Sequence, residues 1–215
     1  MPRALHLVQR PVLPEDESSR LCVRDVYDFD ALDLDAFTGI MVSSGCDQRF
    51  LAARSERISA WVRAGGRLLV NGHPMERFVE GMPKHRKLDF HSTRDLWLTE
   101  MQSHPIWSGV DRRDLLLRTG VPGEHSFEEL ERIGVAGFYA HAYLVDLPVD
   151  AVTITGIGQG FLPVDVAYPL GAGEVVMHLG NELGSFARSG SSAVDLGERT
   201  IAYLEGALAA AEVAG

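Results

Sequence analysis

The sequence predicts an α/β domain built on a mostly parallel sheet. Phe37 to Val70 carries that prediction. There an apolar run (FTGIMVS), an amphipathic helical stretch, a glycine pair and a second apolar run (RLLV) follow one another. Strand, helix and strand in that order form a βαβ unit, whose strands lie parallel across a right-handed crossover. The chain has 215 residues, enough for one sizeable core, and no linker or repeat divides it, so 1–215 reads as a single domain.

Ala4 to Gln9 (ALHLVQ) opens as a short buried strand, and Arg10 to Arg20 is a polar, proline-bearing loop. Leu21 to Tyr27 reads as a second strand, followed by an acidic connector, Asp28 to Asp35. Phe37 to Ser43 is the next strand. Asp47 is placed to cap a helix running to Ala64, because its carboxylate can accept from free backbone N–H groups. Leu51, Ile58, Trp61 and Val62 make that helix's apolar stripe, with Arg49, Glu56, Arg57 and Arg63 largely off it. Gly65-Gly66 ends the helix in the left-handed geometry glycine favours, and Arg67 to Val70 is a buried strand.

Further on, Pro74 to Pro83 is expected to hold a short helix and a turn, Leu115 to Arg118 a strand, and Gly123 to Ile133 a short helix. Val135 to Val145 reads as a strand or an irregular insertion. Ala151 to Ile157 alternates like a strand. Val164 to Tyr168 and Glu174 to Leu179 flank Gly171-Ala-Gly173, which reads as the turn of a C-terminal β-hairpin. Asp195 to Val213 closes as an alanine-rich helix with Ile201, Leu204 and Leu208 on one face.

Composition narrows the classes of partner. Twenty basic against thirty acidic side chains give a formal charge of −10, which argues against nucleic acid or an anionic membrane surface. Cys22 and Cys46 are too few for a disulfide framework and lack zinc-site spacing. Met1-Pro2-Arg3 runs straight into a strand-like stretch without an apolar segment of signal-peptide length. No window approaches the roughly 18 uninterrupted apolar residues of a membrane span. The expectation is a cytoplasmic protein, with a homo-oligomer left open.

Three segments resemble a known family. Trp61-Val-Arg-Ala-Gly-Gly-Arg-Leu-Leu-Val-Asn-Gly-His73 resembles the helix, glycine pair, strand and Gly-x-His of trehalose-utilisation (ThuA-like) proteins, within the class I glutamine amidotransferase-like superfamily. His104-Pro-Ile-Trp-Ser-Gly-Val110 and Tyr168-Pro-Leu-Gly-Ala-Gly-Glu-Val-Val-Met-His-Leu-Gly180 are similar to later segments of the same group, in the same order. The resemblance implies a flavodoxin-like three-layer α/β/α sandwich. Its active site would lie at the carboxyl ends of the parallel strands, as the general rule for open α/β sheets also places ligands. Here those ends are Ser43 to Asp47 and Asn71 to Pro74.

Working amidotransferases carry a Gly-x-Cys-x-Gly elbow after the strand matching Arg67 to Val70. This chain has Val70-Asn71-Gly72-His73-Pro74 there, with no cysteine and no late His-x-Glu pair, so glutaminase activity is not expected. His73 is the first catalytic candidate, since histidine serves as acid, base or ligand near neutral pH. It equally suits a loop-shaping bond to a backbone carbonyl. Cys46 is the second candidate: a helix N-terminus lowers a thiol pKa, although a small residue buried before the cap fits the same position. Gly45, Asp47, Gln48, Asn71 and Gly72 are expected at the ligand rim, Asp47 more as cap than as catalyst. His104, ahead of Pro105, is either near the crevice or a turn residue held extended.

His85, His91, His141 and His178 form no adjacent-ligand motif, so no metal site is read, although one assembled from distant residues stays open. Gly156-Ile-Gly-Gln-Gly160 is no dinucleotide fingerprint, since it neither follows the first strand nor opens a helix, and no cofactor is expected. Trp97, Trp107, Phe138, Tyr139 and Tyr143 read as core rather than as a sugar-stacking face, and Arg112-Arg113 beside Asp111 and Asp114 as a solvated turn. Two functions fit. One is a binder of, or enzyme on, a small polar or carbohydrate-like metabolite at the His73 rim. The other is a non-catalytic oligomerisation or protein-interaction module on the same fold.

Overall fold

The computed structural model describes residues 3–118, 132, 137–187 and 190–208. Strands β1 (Arg3–Val8), β2 (Leu21–Asp25), β3 (Phe37–Val42) and β4 (Arg67–Asn71) alternate apolar side chains between two faces, as strands buried on both sides must. Leu5, Leu7, Ile40, Val42, Leu68 and Val70 enter one hydrophobic cluster, while Ala4 and Leu69 enter the other. Between β3 and β4 run helices α1 (Gln48–Ala52) and α2 (Ser55–Arg63), which place Leu51, Ile58, Trp61 and Val62 in the first cluster. Each such side chain contributes about 1.5–3 kcal/mol by leaving water.

The remaining strands are β5 (Lys84–Lys87), β6 (Leu98–Glu100), β7 (Leu117–Arg118), β8 (Gly137–Phe138), β9 (Ala142–Val145), β10 (Val152–Ile157), β11 (Leu162–Leu170) and β12 (Gly173–His178). The main sheet has eight strands in the order β2-β1-β3-β4-β12-β11-β10-β6. The first five are mutually parallel, and β11, β10 and β6 join antiparallel. The smaller pairs are β5 with β9 and β7 with β8. The expected hairpin is present, with β11 meeting β12 across Gly171-Ala172. Helix α3 (Leu196–Leu204) packs on the second face against β1, β3 and β4. The protein is thus a mixed α/β fold with a large, mostly parallel sheet and few helices, since short 3-10 turns join β2 to β3.

Several sequence expectations change. The helix expected from Asp47 to Ala64 is interrupted at Ala53-Arg54. The Arg54 guanidinium donates to the Phe50 carbonyl at 2.8 Å, while the Arg54 N–H turns to Leu51 at 2.9 Å, so the i to i+4 ladder is replaced there. An ion pair from Arg54 to Asp30 holds that break. Pro74 to Pro83 holds the expected turn, closed by the Met82 N–H on the Val79 carbonyl at 3.3 Å, but no helix, and the Gln48 side chain takes the N–H groups of Met75 and Glu76.

The closing helix stops at Leu204, where Gly206 turns left-handed (φ +81) and Arg67 donates to the Tyr203 carbonyl at 2.6 Å. Its expected extension beyond 208 and the helix expected over Gly123–Ile133 lie outside the described residues, Arg132 excepted. Arg113 is solvated and paired with Asp111, but Arg112 is buried. Trp107 and Tyr139 are core as expected, while Trp97 is 53% exposed. Among the described residues no helix is long and apolar enough to cross a membrane.

Candidate functional site

The register of the parallel strands builds the site. Val42 pairs with Val70, and Asn71 with His178, so β3, β4 and β12 end together. The loops leaving them converge on a cavity of about 580 Å³. Gly45, Cys46, Asp47 and Gln48 come from the β3 side, Gly72 and His73 from the β4 side, and Gly180 and Asn181 from the β12 side. Gly72 (φ +94) makes the meeting possible, since a Cβ there would stand 2.8 Å from that of Ser44.

Gln48 ties two lips together. Its Nε2 donates to the His73 carbonyl at 2.8 Å, and its Oε1 accepts from the N–H groups of Met75 and Glu76 at 2.8 and 3.0 Å. The amide is thereby spent on shape rather than on a ligand. Asp47 accepts from the Phe50 N–H at 3.0 Å as the helix cap, and from the Tyr27 hydroxyl at 3.1 Å. Its carboxyl is held below the ordinary range, first by the Phe50 N–H, so it presents a stable negative charge to the cavity.

His73 is half-buried, and its Nε2 is itself buried, with no hydrogen-bond partner among the described residues. Its ring lies 5.1 Å from that of His85 and 4.9 Å from that of His141, centroid to centroid. Burial, followed by repulsion from His141, His85 and His178, lowers its pKa, so the imidazole is neutral at pH 7 and able to accept a proton. His85 donates through Nδ1 to the Pro74 carbonyl at 3.2 Å, fixing the loop behind it. Among the described residues no group of three or more His, Cys, Asp or Glu is arranged to hold a metal ion.

Two expected residues do other work. Cys46 is buried and donates through Sγ to the Leu7 carbonyl at 3.2 Å. Desolvation pushes its thiol up to about 12, the reverse of the helix-dipole expectation, so its thiol stays protonated at neutral pH. Asn71 is buried, donating to the Val42 carbonyl at 3.2 Å and accepting from the Leu183 N–H at 3.1 Å. It staples strand ends below the rim. His104 is not brought to this cavity. It lies at the amino ends of the strands, accepting from the Ile106 N–H at 3.3 Å, 3.9 Å from Glu174 and with its ring 5.0 Å from that of Tyr203.

Under the β12 side lies a buried chain absent from the sequence reading. Trp107 Nε1 donates to the Tyr139 hydroxyl (2.9 Å), which donates to Asp165 (2.8 Å), whose other oxygen accepts from His178 Nδ1 (2.7 Å). His178 Nε2 has no partner among the described residues, and a Cβ on Gly180 would stand 2.8 Å from it and 2.2 Å from the Tyr139 carbonyl oxygen. Only glycine fits between this chain and the cavity it helps line. A signal was present: a two-residue turn at Gly171-Ala172 sets Asp165 opposite His178. Glu182 was also missed. It accepts from the Ser44 N–H at 2.7 Å and hydroxyl at 3.1 Å, pinning the β3 loop to the β12 loop.

No family model matches the chain, and no curated protein matches it. Among solved structures the chain is similar to the cytoplasmic protein STM3548 from Salmonella typhimurium, with TM-score 0.51 and 12% identity over 85% of this chain and 80% of that one. It is also similar to a β-galactosidase from Rahnella sp. R3 (TM-score 0.46, 11% identity, 85% of this chain, 29% of that one). A third is the exo-β-1,4-mannosidase Op5Man5 from an Opitutaceae bacterium (TM-score 0.41, 12% identity, 95% and 35%). The first likeness concerns the fold alone, and the two glycosidases carry no argument about this chain's chemistry.

Proposed function

We propose that this chain is a cytoplasmic class I glutamine amidotransferase-like protein of the ThuA-like subgroup. In this reading it has a flavodoxin-like three-layer architecture and binds or acts on a small polar or carbohydrate-like metabolite at the His73 rim. The observation that carries this reading is the convergence of Gly45, Asp47, Gly72 and His73 on one cavity at the carboxyl ends of parallel strands. Counting only the parallel strands, their order is 2-1-3-4-5, the flavodoxin order, in which ligands gather at that edge. Asp47, Arg49 and Glu76 give the cavity charged walls, which suit a hydroxyl-rich ligand better than an apolar one. Glutaminase chemistry is left out: the elbow lacks a cysteine, and Cys46 is a protonated, buried thiol.

In this reading the neutral His73 imidazole is the proton acceptor or hydrogen-bond partner of a ligand hydroxyl, and Gln48 keeps its loop in place. A thermal-shift screen of sugars, polyols and polar metabolites tests it, because a ligand that binds only the folded state raises its melting temperature. The expected result is a hit whose affinity falls roughly twofold to tenfold in His73→Ala, as loss of one directed hydrogen bond implies. A hit bound equally by folded His73→Ala, or a stable dimer that covers the cavity, would overturn the placement and favour the interaction-module reading.

A further inference from the structure

A second cavity, of about 240 Å³, lies at the far edge of the sheet beside β6. Its walls are Trp97, Leu98, Thr99 and Leu116, with Arg112 and Arg113 bringing charge to it. Arg112 is 5% exposed, an unusual position for a guanidinium. Its Nε donates to the Thr155 hydroxyl at 3.2 Å, and Nη1 to the carbonyls of Trp107 (3.3 Å) and Val110 (2.9 Å). Nη2 is buried without a partner among the described residues.

Those acceptors are all neutral, so they satisfy donors without cancelling the charge. The acids nearby are committed elsewhere. Asp111 is ion-paired with Arg113 and attracts Arg112 only weakly, without contact, and both oxygens of Asp165, which faces Thr155 across β10 and β11, accept from Tyr139 and His178. Among the described residues no carboxylate lies within ion-pair distance of Arg112. A buried charge with no counter-charge in contact is costly, and an anion entering the cavity relieves that cost. The walls, in turn, ask for an apolar body: the exposed Trp97 ring with Leu98 and Leu116 covers most of them. An apolar cavity of about 150 Å³ already takes benzene.

We propose that this cavity is a binding site for a small organic anion, a carboxylate carried on an aromatic or branched apolar body, with Arg112 as its charge partner and Trp97 as its apolar wall. The site is separate from the His73 rim and does not depend on its reading. Isothermal titration of the full chain with benzoate, benzyl alcohol and acetate tests it. Benzoate should bind, and benzyl alcohol, of nearly the same shape without the charge, should bind about tenfold or more weakly, as for loss of a charge-assisted hydrogen bond. Acetate should also bind about tenfold or more weakly, because it lacks the apolar body.

Arg112→Met should abolish the difference between benzoate and benzyl alcohol. Should that variant fail to fold, Trp97→Ala, at a half-exposed position, keeps the test open, with an expected loss for benzoate of roughly threefold to tenfold. Equal binding of benzoate and benzyl alcohol, no benzoate binding at all, or undiminished binding to Trp97→Ala would each overturn the proposal.

Discussion

The two ends of the same parallel strands each carry a histidine followed by proline, and the fold treats them oppositely. At the carboxyl end His73 leaves β4 on a left-handed glycine, stays half-buried beside a cavity, and keeps Nε2 unbonded among the described residues. At the amino end His104, whose Nε2 is likewise unbonded among the described residues, is 5% exposed, caps a short 3-10 turn with Nδ1, and packs its ring 5.3 Å from Trp107 and 5.0 Å from Tyr203. The dipeptide is the same, but strand direction is not. Loops at the carboxyl ends splay around a crevice, while the amino ends are closed here by α3 and the Pro105–Trp107 turn. The comparison teaches that residue type alone does not mark a site; the strand end at which the residue emerges decides.

If the carboxyl end is an open rim over a rigid floor, the floor should be the most sensitive part of the molecule. Asp165→Ala strands the buried donors of His178 and Tyr139, and should cost about 3–5 kcal/mol in urea unfolding. A loss under about 1 kcal/mol would mean the chain beneath Gly180 is not holding the site.

The two histidines should then separate cleanly. His104→Ala removes a packed core ring, with an expected cost of about 2–3 kcal/mol and no effect on a ligand of the His73 cavity. His73→Ala should change stability by less than about 1 kcal/mol, since its ring is only half-buried. Equal costs at the two positions, read from the same denaturation curves, would erase the contrast.

The smallest effect is a pH slope. The folded-state pKa of His73 lies below the ordinary 6.5, first because of burial. Between that lowered value and 6.5 the unfolded chain holds more protons than the folded one, so stability falls as pH drops through this window and is complete above it. His6, whose pKa burial also lowers, adds to the same slope. His73→Gln should therefore flatten, without abolishing, the loss of stability between about pH 7 and pH 5. Superimposable melting-temperature profiles for the two proteins would show that His73 titrates as freely in the fold as out of it.

What the sequence determined by itself was local. Periodicity placed β3, a helical crossover and β4, the glycine pair ended the crossover, Asp47 was identifiable as a cap, and Gly171-Ala172 announced the hairpin. Those signals are carried by neighbours along the chain, where a backbone preference or an apolar period is written directly. From them the meeting of Gly45 and His73 followed, because two parallel strands joined by one crossover must end on the same side. Tertiary structure alone decided the rest. It broke the helix at Arg54 through a side chain on Phe50, and drew Arg112 into the core while leaving Arg113 in water. It also turned Cys46 from a helix-activated thiol into a desolvated one, and sent His104 to the other end of the sheet. Each of these depends on what the remainder of the fold sets around a side chain, on burial and on charges distant in sequence, and such terms have no period or motif to be read from.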